Sequence, residues 1–121
     1  MRYLKTYEQV KNGITFKEWL KDNPQDINTD RIDCNFKNLI NLNGIEKFKN
    51  LKLLDCPNNQ LTQLPDLSQN KNLKELWCYN NQLTELPDLS QNKNLKLLYC
   101  SYNKLTYLPD LSQCKNLKGL Y

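Results

Sequence analysis

From residue 51 onward, apolar positions recur on a strict cycle. Leu51-x-x-Leu54-x-Cys56-x-x-Asn59-x-Leu61 is followed by Leu64 and Leu67, and the same spacing returns from Leu73 and again from Leu95. A stub, Leu117-Lys118-Gly119-Leu120-Tyr121, begins the cycle once more. The period is 22 residues, and self-similarity at a fixed period of that size marks a solenoid. Within one unit, the alternation Leu76-x-Cys78 predicts a short strand with those two side chains inward. Asn81 follows at a turn, where a buried amide can bond backbone groups of adjacent coils. Leu83, Leu86 and Leu89 continue the inward row. Pro87-Asp88 and the polar run behind them oppose an α-helix and predict an extended or single-turn 3-10 return. Stacked coils then make a parallel sheet with strands about 4.8 Å apart.

The chain ahead of residue 51 is less regular. Residues 29–50 read as a degenerate unit in which Ile32, Cys34, Leu39, Leu42, Ile45 and Phe48 take the places of Leu54, Cys56, Leu61, Leu64, Leu67 and Asn70. The turn asparagine is displaced: Lys37 holds its place and Asn38 comes one later. Residues 1–28 do not repeat and predict a helical cap. Thr15-Phe16-Lys17-Glu18 has the form of a capping box, Phe16, Trp19 and Leu20 share a helical face, and Asn23-Pro24 ends it. An earlier helical segment is expected near Leu4–Lys11. A first coil with no neighbour exposes its core edge, so Phe16 and Trp19 are expected to plug it.

The motif carried by Leu51–Leu61, Leu73–Leu83 and Leu95–Leu105 resembles the leucine-rich repeat family over residues 29–121. The period is similar to that of internalin-type proteins, and Leu-Pro-Asp-Leu is similar to bacterial effector repeats. The resemblance implies an α/β solenoid, a short leucine-rich repeat horseshoe with a parallel concave β-sheet and an N-terminal helical cap. Its units are a degenerate repeat at 29–50, full repeats at 51–72, 73–94 and 95–116, and a truncated one at 117–121. It also implies protein binding on the concave sheet, with no catalytic residues.

Composition narrows the chemistry. At 121 residues the chain is one domain, and its 39% hydrophobic content suits coils that each bury a thin row. The net charge of +4 comes without a clustered basic run, so charge names no nucleic-acid partner. No signal-like or membrane-length apolar run is present, which predicts a soluble protein in the cytoplasm of its producing cell or, for an effector, of a host. Histidine is absent, removing the commonest general base and metal ligand. Cys34, Cys56, Cys78 and Cys100 fall at one inward position per coil. Without CxxC pairs they read as small buried hydrophobes, not a metal column. Cys114 takes the place of Asn70 and Asn92 and suggests no role. No cofactor or metal is expected.

Strand positions between the inward residues face outward and align in columns. One reads Asp33, Asp55, Trp77, Tyr99, Tyr121; others read Asn35, Pro57, Tyr79, Ser101, and Phe36, Asn58, Asn80, Tyr102. A fourth reads Asp30, Lys52, Lys74, Lys96, Lys118. Trp77, Tyr79, Tyr99, Tyr102 and Tyr121 thus gather in the C-terminal half, with Lys74 and Lys96 beside them and Asp55 toward the acidic half. Trp and Tyr dominate interface hot spots, so these eight residues are the candidate partner-binding site of a protein-interaction module, in the manner of a small inhibitor or effector. The bland readings are cross-strand stabilisation for the aromatics and solubility for the lysines. A second reading is single-stranded nucleic-acid binding, with stacking aromatics and phosphate-tracking lysines; the acidic half of the face disfavours it. An enzyme would have only Asp33 and Asp55 as a carboxylate pair on a solvated face, with no nucleophile and base beside them. The open strand at Tyr121 suggests a two-fold dimer joining sheet edges.

Overall fold

The computed structural model describes residues 13–121; the helical segment expected near 4–11 lies outside them. Five strands, β1 (Arg31–Asp33), β2 (Leu53–Asp55), β3 (Glu75–Trp77), β4 (Leu97–Tyr99) and β5 (Gly119–Leu120), form one sheet in sequence order. All pairs are parallel and in register at the repeat period, so that Ile32, Leu54, Leu76, Leu98 and Leu120 form one row. The first four of these are fully buried. The sheet is one face of a solenoid, as the periodicity required.

Each coil buries a ring of apolar side chains against the next. Leu73, Leu76, Cys78, Leu83 and Leu89 are wholly buried and Leu86 nearly so, and the corresponding residues of the coils at 29–50 and 51–72 are buried likewise, except for Thr29 in the place of Leu73, which is half-buried. The return segments are extended, as Pro65, Pro87 and Pro109 dictate; one 3-10 turn, Ile45–Lys47, occurs in the degenerate coil. The Pro-Asp-Leu-Ser segment has a local purpose. Asp66, Asp88 and Asp110 each accept a hydrogen bond from the backbone N–H two residues on, at 2.8, 2.8 and 2.9 Å, closing an Asx turn that a helix would not leave room for.

At the N-terminal end, α1 (Phe16–Asp22) lies over the first coil. Phe16 and Trp19 are buried, stacked at 5.8 Å, and Phe16 meets Phe48 edge-on at 6.2 Å. The capping box is half formed. Thr15 Oγ1 accepts the Glu18 N–H at 3.1 Å, but its hydroxyl also donates to Glu18 Oε1, so the carboxylate binds the side chain instead of the Thr15 backbone.

Two asparagine ladders hold the coils together. Asn59, Asn81 and Asn103 each donate to a cysteine carbonyl of their own coil and to one of the coil before, and each accepts a backbone N–H of that earlier coil. In the degenerate coil, where Lys37 displaced the turn asparagine, Asn59 from the next coil takes both the Lys37 and Leu39 N–H groups at 3.0 Å. The second ladder lies within the polar run that follows each Pro-Asp-Leu segment. Asn70 and Asn92 are fully buried, donating to Ile45 and Phe48 carbonyls and to Leu67 and Asn70 carbonyls, all at 3.0–3.1 Å. Cys114 is therefore not incidental: its Sγ lies in this ladder, 3.5 and 3.6 Å from the Leu89 and Asn92 carbonyls.

The inward cysteines are all free thiols and buried. Burial, with smaller contributions from Asp55 and Asp33, pushes the Cys34 thiol up to about 12. Burial likewise raises Cys56 and Cys78. The folded chain holds these groups neutral where the unfolded chain ionises them near 9.0. Stability should thus be full below about pH 9 and fall as pH rises toward 12, by up to ~1.4 kcal/mol per pH unit for each thiol. Urea midpoints at neutral and alkaline pH, compared between the wild type and Cys78→Val, test this. The variant should lose less; an equal loss in both would remove the thiols as the cause.

Candidate partner-binding face

The outward side chains of the sheet stand on the three-residue strands, whose alternation puts every second residue on the concave side. Register aligns Asp33 with Asp55, Asp55 with Trp77, and Trp77 with Tyr99. The aromatic part of this column is one contiguous cluster. Trp77 and Tyr99 meet edge to face at 5.7 Å and 82°, and Tyr99 stacks on Tyr121 at 4.8 Å and 11°. Gly119 makes the second contact feasible. A Cβ there would lie 2.7 Å from Leu97 Cδ2 and 2.8 Å from Tyr121 Cε2, so the ring occupies space that any side chain would claim.

Two clefts open beside the cluster and share Tyr79. One, of about 160 Å³, is lined by Trp77, Tyr79 and Tyr99. The other, of about 290 Å³, is lined by Asn58, Tyr79, Asn80 and Tyr102. Trp77 Nε1 donates to Glu75 Oε1 at 3.2 Å, fixing the indole against its own strand. Lys74 and Lys96 are exposed and in register, the Lys96 N–H donating to the Lys74 carbonyl at 2.7 Å. Five of the eight candidate residues, Trp77, Tyr79, Tyr99, Tyr102 and Tyr121, thus line the clefts or join the cluster beside them, and the two lysines stand in the column before it.

Asp55 differs from the solvated carboxylate expected. It is only 6% exposed and pairs with Arg31 at 3.5 Å, while its Oδ1 is buried with no hydrogen-bond partner. Burial, with repulsion from Asp33 added and Arg31 opposing, raises its pKa. The strand-position column Arg31, Leu53, Glu75, Leu97, Gly119 was not singled out by sequence; the period-2 alternation that marked Asp55 and Trp77 marks it equally. Among the described residues no cluster of histidine, cysteine, aspartate or glutamate is arranged to hold a metal ion, and no helix is long and apolar enough to cross a membrane.

Tyr102 carries a second signal. Phe36, Asn58, Asn80 and Tyr102 occupy one place per coil, and all are left-handed, with φ of 56°, 60°, 55° and 55°. Asparagine tolerates this conformation; a tyrosine there is strained by roughly 1–2 kcal/mol. Tyr102 is nonetheless 82% exposed, so packing does not repay the strain, and strain held at a surface points to use. Tyr102→Asn should raise stability by about 1 kcal/mol in a urea titration. Unchanged or lowered stability would mean the ring contributes to the fold.

A family model described as leucine-rich repeats, two copies, matches residues 49–91. None of the curated proteins matches the sequence. Among solved structures, the functional domain of InlJ from Listeria monocytogenes, described as including a cysteine ladder, is 42% identical over 75% of this chain and 20% of its own, with a TM-score of 0.70. A leucine-rich repeat protein from Leptospira interrogans is 33% identical over 85% of this chain and 33% of its own, with a TM-score of 0.57. YopM from Yersinia enterocolitica, 24% identical over 79% of this chain and 29% of its own, with a TM-score of 0.56, is alike in fold. The chain thus spans a third or less of the length of each.

Proposed function

We propose that this leucine-rich repeat chain is a non-catalytic protein-binding module, which acts by covering a partner with its concave aromatic face. The observation that carries the reading is the joined cluster of Trp77, Tyr99 and Tyr121 on the outward side of the sheet. Burial of the coil interior does not require it, and aromatic anchors in clefts are what interface hot spots are made of. Tyr79 and the strained, exposed Tyr102 extend the surface, and Lys74 and Lys96 give it a charged rim. Steric cover by such a face suits a small inhibitor or effector. The carboxylates of Asp33, Asp55 and Glu75 on the sheet weigh against a nucleic-acid strand along the same path.

The test is capture from source-cell lysate with wild type and with the Trp77→Ala/Tyr99→Ala chain side by side. A protein held by the first and lost by the second supports the face. Equal retention moves the contact elsewhere, and nucleic acid released by salt would replace the reading.

A further inference from the structure

We propose that the cleft between Trp77, Tyr79 and Tyr99 is a cage for one arginine side chain of the partner, an inference that rests on the concave face docking a protein. Trp77 and Tyr99 stand at 82° to each other, so they form two perpendicular walls, and Tyr79 lines the cleft with them. Its volume of about 160 Å³ is below the ~300 Å³ at which small-molecule sites begin, and suits a single side-chain head group. Aromatic faces carry a negative quadrupole, and a cation over Trp or Tyr is attracted by it, most strongly when it leaves water.

The charges beside the cleft have the same preference. Glu75 shares a strand with Trp77, whose indole holds Oε1; its Oε2 has no hydrogen-bond partner among the described residues. Next in the sheet stand Asp33 and Asp55, faced by one guanidinium, Arg31, which Asp55 already engages. The lysines occupy the column before the strands and do not line the cleft. Among cations, guanidinium fits best. It is planar, so it stacks on a ring while presenting N–H groups edge-on to the Glu75 carboxylate, and it is more weakly hydrated than an ammonium.

The experiment follows the Trp77 indole N–H by nitrogen-15 NMR, assigned by its disappearance in Trp77→Phe, during titration with N-acetylarginine amide. N-acetylcitrulline amide, the neutral isostere, is the control. A saturable shift is expected with arginine, and binding weaker by about fivefold or more with citrulline, and with arginine on Glu75→Gln. Equal binding of citrulline, or no saturable shift with arginine, would overturn the cage. If the arginine shift is absent but the double alanine chain loses its captured partner, the cage falls and the docking face stands. If that chain keeps its partner, the docking face falls, and the cage as a partner site falls with it.

Discussion

Asn81→Ala should lower the unfolding free energy by roughly 2–4 kcal/mol, for one buried donor left unpaired and three weakened carbonyl bonds. The side chain donates to the carbonyls of Cys56, Cys78 and Tyr79 at 3.1, 3.2 and 3.3 Å, and its Oδ1 accepts the Leu61 N–H at 3.0 Å. Alanine leaves the Leu61 N–H unpaired in an interior where Asn81 is 8% exposed. The carbonyls of Cys56, Cys78 and Tyr79 each lose one of two donors, keeping those of Asn59, Asn103 and Asn58. Each buried group left unpaired costs roughly 1–3 kcal/mol, against a total stability of roughly 6–18 kcal/mol for a chain this long. Asn103 makes the same kinds of bond but is half-buried, so water can replace it and Asn103→Ala should lose less. Urea titrations of both variants decide the matter. If Asn81→Ala loses no more than Asn103→Ala, the ladder's strength does not come from burial.

Trp77→Ala with Tyr99→Ala should separate binding from folding. Removing two anchors from a cluster of this kind is expected to weaken a partner by several kcal/mol, about 100-fold or more. The fold loses the Trp77–Tyr99 and Tyr99–Tyr121 contacts, worth roughly 0.2–1 kcal/mol each. The row beneath, Leu76 and Leu98, stays buried and untouched. Calorimetric titration of the partner and a urea midpoint on one preparation give both numbers. Affinity within about threefold of wild type would remove the concave aromatics from the interface, whatever happened to the midpoint.

The period made the coils legible because each inward leucine has the same neighbours one turn away, so one unit predicts the next. The strands, their register, the buried cysteines and the role of Asn81 all follow from that. Asn70 and Asn92 escaped because they sit in a polar run that composition assigns to solvent. The signal was present: they continue the every-third inward row of Leu61, Leu64 and Leu67, and their column holds Phe48 and Cys114 elsewhere. The face was legible as columns, since alternation fixes which residues point outward. How they combine was not. The burial of Asp55 depends on Arg31 reaching across from the next strand, and the Tyr99–Tyr121 stack depends on the vacancy at Gly119. Such contacts are made by side-chain length and rotamer, on which a repeat period is silent.

The ladders also have a direction. Asn59, Asn70, Asn81, Asn92 and Asn103 all reach toward lower residue numbers, to carbonyls of Cys34, Ile45, Cys56, Leu67 and Cys78. A coil added behind an existing one therefore finds the cross-coil acceptors already in place, whereas a coil waiting for its predecessor has only the acceptors of its own turn. A ribosome delivers the chain in the order that satisfies this. Phe16 and Trp19 close the first edge before the second coil exists, and each later coil docks on the one before it and pairs that coil's waiting N–H groups, so synthesis and assembly run the same way along the molecule.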